Sequence, residues 1–129
     1  MTKFKKFEEI ECWKKAREFS QMIYSESSNE RFTKDFVLTR QIKASSGSIM
    51  DNIAEGFERG GNKEFIHFLY ISKGSAAETK SQLYRALDQK YISKELFATL
   101  YSKADEIGNM IGSLIKYLKT TEFKGVKFK

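Results

Sequence analysis

The middle of the chain reads Gln41-Ile42-Lys43-Ala44-Ser45-Ser46-Gly47-Ser48-Ile49-Met50-Asp51-Asn52-Ile53-Ala54-Glu55-Gly56-Phe57-Glu58-Arg59, then Gly60-Gly61-Asn62, then Lys63-Glu64-Phe65. Apolar residues recur at helical spacing on both sides of the double glycine. A glycine just past a helix end can take the left-handed conformation that closes the helix. Asn62 is predicted to cap the next helix through its side chain, and Glu64 complements the dipole of the first turn. The stretch therefore predicts two long antiparallel helices joined by a tight turn.

Runs of small residues lie at matching heights on the two arms of this hairpin. Folding the chain about Gly60-Gly61 places residues 44–48 alongside residues 74–78. Small side chains let two helix backbones approach closely. A glycine inside a helix costs about 1 kcal/mol relative to alanine. Gly47 and Gly74 therefore favour close packing of the two arms, the alternative being that both glycines are merely tolerated.

Three polar side chains on the hairpin are predicted to hold the register of the bundle: Asn52, Glu55 and Glu78. Asn52 falls on the apolar stripe of its helix, where a buried amide must find partners and can fix register. A functional role for Asn52 remains an alternative. Glu55 and Glu78 lie at different heights, so Glu78 is predicted to pair with Lys43 or Arg40 instead of forming a catalytic carboxylate pair.

The remaining pattern predicts an all-α protein with an antiparallel up-down-up-down four-helix bundle. The predicted single domain has helices at about residues 8–25, 37–59, 63–89 and 94–119 and a basic tail at 120–129. The fourth helix has the clearest seven-residue apolar repeat, which suits the left-handed packing of such bundles. Trp13 is assigned to the core, with stacking on a nucleobase as the alternative. Phe32 and Phe36 are predicted to plug one end of the bundle, beside the longest connection.

Size and composition limit the class of protein. A chain of 129 residues is long enough to bury a core without disulfides or metal, and it contains no proline. Its single cysteine, Cys12, excludes an intrachain disulfide and fits a reducing cytoplasm, so we predict a cytoplasmic location. No signal peptide is expected, nor is a membrane helix, which needs about 20 apolar residues.

No catalytic, metal or cofactor site is indicated, and we predict that the protein is not an enzyme. His67 is the only histidine, and a metal site needs several ligands in known spacing. His67 and Cys12 are therefore assigned to surface or interface positions. The run Gly60-Gly61-Asn62-Lys63 is only loosely similar to a phosphate-binding loop, because it lacks the spacing, the hydroxyl and the preceding strand.

Three runs resemble the signature of the four-helix-bundle proteins of the 23S rRNA intervening-sequence family. They are Leu38-Thr39-Arg40-Gln41-Ile42, Ser48-Ile49-Met50-Asp51-Asn52-Ile53-Ala54-Glu55-Gly56 and Gly74-Ser75-Ala76-Ala77-Glu78, and the match extends from Trp13 to Ile92. That family is similar to the accessory variability-determinant protein of diversity-generating retroelements. This chain departs from it at Lys43, where arginine is expected, and lacks the proline often found between the first two helices. The resemblance implies a ring-shaped homo-oligomer, commonly a pentamer, and little firm biochemistry.

The formal net charge of +6 indicates polyanionic partners. Relatives in the resembling family are encoded within rRNA genes or work beside a reverse transcriptase. We therefore predict a basic, oligomeric protein that binds RNA or DNA with little sequence specificity. The residues predicted to contact nucleic acid are Arg31, Lys34, Arg40, Lys43, Arg59, Lys63, Lys116, Lys119, Lys124 and Lys127. For the tail lysines, the alternative is a basic terminus that only aids solubility.

A second class of function is a protein-interaction scaffold or accessory protein with no direct role in nucleic-acid binding. Its best surface is a second face of the third helix, formed by Ile66, Tyr70, Ala77 and Tyr84, which could instead meet another subunit. Binding that survives high salt would distinguish this class from the first, because phosphate contacts weaken as salt rises.

Overall fold

Helices make up nearly all of the described chain, which is residues 4–121 of a computed structural model. The elements are a 3-10 turn at Phe7–Glu9 and the helices α1 (Glu11–Glu26), α2 (Glu30–Lys34), α3 (Phe36–Glu58), α4 (Asn62–Asp88) and α5 (Lys94–Thr120). The four long helices lie close to their predicted ranges, but the first begins at Glu11 and not at about residue 8, because Phe7–Glu9 forms the 3-10 turn. The short helix α2 lies within a connection that was expected to be a loop.

The four long helices form an antiparallel up-down-up-down bundle, as predicted. Helix α3 packs between α1 and α4, α4 packs between α3 and α5, and α1 closes the bundle against α5. The largest fully buried side chains include Phe19 of α1, Ile49 of α3, Phe65 of α4 and Leu100 of α5. Each helix therefore contributes an apolar stripe to one common core, which is the arrangement that four-helix bundles use.

The turn between α3 and α4 is only partly as predicted. Gly60 has a φ of +88°, so it closes α3 in the left-handed conformation. The prediction that Asn62 caps α4 is wrong, because extended Gly61 takes the N-cap position and no side chain caps it. Asn62 is instead buried, and its Nδ2 donates to the Leu118 carbonyl at 3.1 Å. It ties the start of α4 to the end of α5.

Close packing of α3 against α4 occurs at Gly56, and not at the glycines that were expected to provide it. A Cβ at Gly56 would lie 2.6 Å from Cβ of Phe68, whereas a Cβ at Gly47 or Gly74 would meet nothing within 4 Å. The prediction of close packing at Gly47 and Gly74 is therefore wrong within the chain. Both glycines present open space on the outside of the bundle.

A seam of small hydroxyl side chains joins α3 to α4 and fixes their register. Ser45 Oγ lies 2.8 Å from Thr79 Oγ1 and donates to Oε1 of Gln82 at 2.6 Å. Further along, Ser75 Oγ donates to Ser48 Oγ at 3.0 Å. Because buried hydroxyls need partners, shifting one helix along the other would leave several of these groups unpaired.

The three residues predicted to hold register act locally instead. Asn52 is half-buried, and its Nδ2 donates to the carbonyl and hydroxyl of Ser48 in its own helix. Glu55 pairs with Arg59 one turn away at 2.8 Å. Glu78 accepts from Nε2 of Gln82 at 3.4 Å, and none of the ion pairs among residues 4–121 joins it to Lys43 or Arg40. The expected Glu78 ion pair is therefore wrong.

Two further expectations about burial need correction. Phe32 is buried at the end of the bundle as predicted, but Phe36 is 73% exposed, so it does not plug that end. Cys12 lies in the core and not on a surface. Trp13 is also buried, with the ring of Phe7 packed edge-on against it at 5.1 Å, in agreement with its assignment to the core.

Candidate nucleic-acid interface

The side chains predicted to bind nucleic acid fall at opposite ends of the bundle. Arg31, Lys34, Arg40 and Lys43 lie toward the α2 end, and Arg59, Lys63, Lys116 and Lys119 lie toward the α3–α4 turn. Arg40 and Arg59 are separated by roughly 28 Å along α3, at 1.5 Å per residue. Lys124 and Lys127, with most of the predicted tail at 120–129, lie outside the described residues. The predicted set is therefore not one surface.

Arg31 has a structural task at the α2 end. Its guanidinium donates to the carbonyls of Lys90 and Gln89 at 3.1 and 3.3 Å, and its Cζ lies 5.7 Å from the ring centre of Tyr91. These carbonyls follow the last turn of α4, where the dipole and unpaired carbonyls favour a cation. Lys90 itself has a φ of +62°, which is a left-handed backbone conformation that residues with side chains rarely adopt. Arg31 thus fastens the end of α4.

Other predicted cations are also engaged within the chain. Lys34 pairs with Glu30 at 3.7 Å, and Lys43 Nζ lies 4.9 Å from the ring centre of Tyr24. Arg59 Nη2 lies 2.8 Å from Glu55 Oε2, and this hydrogen bond raises the pKa of Arg59. Exposed pairs of this kind contribute little to stability. They do reduce the positive charge that each group offers to a ligand.

Sequence reasoning missed a groove between α4 and α5 that two lysine side chains line. We call it the α4–α5 groove. Its floor consists of the less exposed residues Ala76, Ala104 and Gly108, and its sides are Lys73, Ala77, Lys80, Asp105 and Asn109. The groove has a volume of about 310 Å³. It is concave because α4 and α5 meet there through side chains no larger than a methyl group.

The lysine side chains of the groove are held in defined positions. Lys80 Nζ donates to Asp105 Oδ1 at 2.9 Å and lies 4.9 Å from the ring centre of Tyr101. The hydrogen bond to Asp105 raises the pKa of Lys80, and this ion pair also reduces the positive charge that Lys80 offers to a ligand. Lys73 is exposed on the same face of α4 and reaches toward Gly112, whose Cβ position lies 3.7 Å from Lys73 Cε.

Half-exposed tyrosines stand at both ends of the groove. Tyr70, 49% exposed, accepts a hydrogen bond at Oη from Lys119 Nζ at 2.9 Å. At the other end Tyr84, 50% exposed, packs on Phe97 and Tyr101 with ring centres 4.8 and 5.8 Å apart. Aromatic faces beside lysines are what proteins use to bind single-stranded nucleic acid.

A periodic signal in the sequence could have revealed this face. Tyr70, Lys73, Ala77, Lys80 and Tyr84 follow one another at spacings of three and four residues, which places them on one side of α4. The tyrosines were recognised as a second face, but the lysines between them were not included. Of the predicted cations, Lys119 belongs to this face, because its Nζ donates to Tyr70 Oη.

Among residues 4–121, the structure shows no metal-binding group, no activated thiol and no membrane-spanning helix. No group of three or more His, Cys, Asp or Glu side chains in that range is arranged to hold a metal ion. Burial raises the pKa of the Cys12 thiol to about 12, so it is not an activated nucleophile. No described helix has both the length and the apolar character needed to cross a membrane.

Comparison with known proteins identifies a family and a solved structure with a similar fold. Residues 8–113 match the sequence model of a family described as "23S rRNA-intervening sequence protein". A search of the curated proteins finds no match. Among solved structures, the chain is similar to a protein of unknown function from the S23 ribosomal protein family of Bacteroides thetaiotaomicron. The two are 31% identical with a TM-score of 0.73, over 81% of this chain and 95% of that one.

Proposed function

We propose a function from one premise, which is that the chain belongs to the 23S rRNA-intervening sequence protein family. The proposed function is that of a non-catalytic, basic, oligomeric four-helix bundle in the cytoplasm that binds RNA or DNA with little sequence specificity. The observation that carries this proposal is the α4–α5 groove, which Lys73 and Lys80 of α4 line and near which Lys119 of α5 donates a hydrogen bond to Tyr70.

The charge of the groove suits a polyanion. Among the charged side chains that line the groove, Lys73 and Lys80 outnumber Asp105, and Lys119 lies near it through its hydrogen bond to Tyr70. Lysines that neutralise phosphates release condensed counterions, which favours binding at low salt. A lysine is a flexible point charge without the planar fork that reads a base edge, so contacts of this kind carry little sequence information.

The proposed assembly is a ring-shaped homo-oligomer, with a pentamer favoured by the family resemblance. A ring would repeat the groove on every subunit and multiply the formal charge of +6 per chain. Support within the chain comes from the outer side of α3 and α4, where Gly47 and Gly74 have no neighbour within 4 Å of a Cβ position. A second helix could approach such a surface closely.

A protein-interaction role is the second candidate, and one observation favours it. Phe36 and Val37 at the start of α3 are 73% and 57% exposed, although both side chains are apolar. Adjacent exposed apolar side chains are common at protein–protein contact sites. Binding at this surface would depend little on salt.

Fluorescence anisotropy with structured RNA, duplex DNA and single-stranded DNA across a salt series tests the proposal. We expect the paired change Lys73→Gln with Lys80→Gln to lower affinity about tenfold or more at 0.1 M salt. The slope of log affinity against log salt should become shallower by about 1.4 for a single strand, since two phosphate contacts are lost.

The matched control is Lys34→Gln with Arg40→Gln, which removes the same charge at the α2 end. We expect it to change affinity much less than the groove pair does. A larger effect of the control would move the interface to the α2 end and reject the groove. The absence of binding to any of the three nucleic acids at low salt would reject the proposed function and favour a protein partner.

A further inference from the structure

The ring of Tyr84 is held in place yet remains open to solvent. Phe97 and Tyr101 support it from α5, with ring centres 4.8 and 5.8 Å away, and Tyr84 as a whole residue stays 50% exposed. A ring positioned in advance loses little conformational entropy when a flat ligand stacks on it. This makes Tyr84 a ready surface for stacking a nucleobase.

Tyr70 provides a comparable ring at the other end of the groove. Lys119 anchors it through the 2.9 Å hydrogen bond to Oη and places Nζ 5.4 Å from the ring centre. If a base stacked on the open side of the Tyr70 ring, the Lys119 ammonium group would lie close to the phosphate of that nucleotide. Tyr70 and Tyr84 are separated by roughly 21 Å along α4.

The lysines of the groove lie between these two rings. Lys73 and Lys80 are one and three helical turns from Tyr70 on the same side of α4, above a floor of alanines and Gly108. A separation of roughly 21 Å corresponds to about six nucleotides at the 3.4 Å spacing of a stacked strand, or fewer when the strand is extended. The bases of one strand could therefore stack on the two tyrosine rings while its phosphates contact the lysines between them.

We infer that the α4–α5 groove binds an unpaired strand of RNA or DNA, with bases stacked on Tyr70 and Tyr84 and phosphates on the lysines between them. The inference rests on the proposed function and names its ligand. In a duplex, each base is stacked between its neighbours and paired, so its face is not available to a tyrosine ring. The lysines alone would accept a duplex, but the tyrosines give the preference for a single strand.

The test compares a 20-nucleotide single strand without internal pairing with its blunt duplex. Base–aromatic stacking contributes about 1–3 kcal/mol per base, equivalent to about 5- to 150-fold in affinity. We expect Tyr84→Leu and Tyr70→Leu each to weaken single-strand binding within this range. Neither should change duplex binding or the salt slope, because no charge is removed.

The conservative variant Tyr84→Phe keeps the ring and serves as the control, whereas Tyr70→Phe would also remove the hydrogen bond from Lys119 that anchors Tyr70. We expect Tyr84→Phe to bind the single strand within about twofold of the unchanged protein, because stacking requires the ring and not the hydroxyl. Crosslinking provides a second measurement on the unchanged protein. A strand carrying 5-iodouracil, irradiated in the complex, should attach to Tyr70 or Tyr84, as identified by mass spectrometry.

The outcomes separate this inference from the proposed function. One outcome is that Lys73→Gln with Lys80→Gln weakens binding, while duplex and single strand bind equally and the leucine variants bind normally. In that case the groove binds phosphates only, and the inference is wrong. If the leucine variants change the oligomeric state, the face is a subunit contact, which also overturns the inference. Crosslinks confined to residues outside the groove would do the same.

Discussion

At the scale of single residues, Gly56 is where the packing of α3 on α4 leaves no room. A Cβ there would lie 2.6 Å from Phe68 Cβ and 3.2 Å from Phe65 Cδ1. We expect Gly56→Ala to lower the free energy of unfolding by about 1–3 kcal/mol, since the two helices must separate to admit a methyl group. Urea denaturation followed by circular dichroism would measure this difference.

Gly47→Ala, in the same helix, is the matched control. Nothing lies within 4 Å of its Cβ position, so the change should raise stability by up to about 1 kcal/mol through helix propensity alone. Equal effects of the two substitutions, in either direction, would contradict the assignment of the close contact to Gly56.

The composition of the sequence around these glycines could not show which of them lies at the contact between α3 and α4. Gly47 and Gly74 lie in runs of small residues at matching heights, which is why they were expected at the contact. Which side of α3 faces α4 depends on the rotation of both helices about their axes, and the whole core decides that rotation. Gly56 lies on the same helical stripe as Ile49 and Ile53, whose side chains are completely buried. This stripe places Gly56 on the side of α3 that contacts α4.

Cys12 gives a prediction about pH. Burial raises the pKa of its thiol from 9.0 to about 12. Between these values the unfolded chain has lost the thiol proton while the folded chain retains it, so the unfolded state binds fewer protons and stability falls as pH rises. We expect this group to contribute a loss of up to about 1.4 kcal/mol per pH unit above pH 9.

Comparison with Cys12→Ala isolates the thiol from the lysines and tyrosines that titrate in the same range. The stability of the alanine variant should fall less steeply above pH 9 in urea titrations. The native thiol should also react with a thiol reagent at pH 8 only at the rate of unfolding. Rapid reaction of the folded protein would show that Cys12 is accessible and that the burial argument is wrong.

At the scale of helices, Asn62 joins two elements in place of capping one. Its Nδ2 donates to the Leu118 carbonyl at 3.1 Å and lies 3.4 Å from Thr121 Oγ1. Aspartate is as good an N-cap as asparagine but has no donor. We expect Asn62→Asp to destabilise the protein by about 1–3 kcal/mol or more, because a carboxylate would be buried against a carbonyl.

Ser93 is the control for this prediction because it is a true cap. Its Oγ accepts from the Leu96 amide at 3.0 Å, and it is exposed at the start of α5. Ser93→Asp should change the unfolding free energy by a few tenths of a kcal/mol at most. If Asn62→Asp is tolerated equally well, Asn62 acts as a cap after all and its tie to α5 contributes little.

Much at this scale could be read from the sequence, with clear reasons for the failures. The double glycine correctly located the turn, and the fourth helix, predicted to begin at about residue 94, does begin at Lys94. Asn62 was misassigned because Gly61 takes the cap position in an extended conformation, one residue earlier. Helix α2 was missed although Asn29 caps it through the Phe32 amide at 2.9 Å. A helix of five residues leaves almost no periodic signal.

At the scale of the whole molecule, the candidate site depends on two helices meeting. Lys73 and Lys80 of α4, taken alone, look like a solvated helix face, as do Asp105 and Lys119 of α5. The groove exists because alanines and Gly108 bring the two faces together with no large side chain between them. Sequence spacing within one helix could suggest the α4 face, but not the concavity.

The proposed ring makes a further prediction at this scale. The outer side of α3 and α4 combines open Gly74 with Ile71, which is 41% exposed one turn earlier. If this side packs on a neighbouring subunit, Gly74→Arg should dissociate the ring because the long side chain would occupy the space of the partner helix. The isolated bundle should tolerate it, since arginine favours helix more than glycine does.

Sedimentation velocity over a range of concentrations would test this. A pentamer has a mass of about 75 kDa, five times the 15.0 kDa of one chain. We expect the unchanged protein to sediment as such a ring, with a Tm that rises with protein concentration. Gly74→Arg should sediment near 15 kDa with a Tm independent of concentration, whereas Lys73→Gln in the groove should leave the ring intact. A 15 kDa species at every concentration of the unchanged protein would reject the ring, and dissociation by Lys73→Gln would place the subunit contact in the α4–α5 groove.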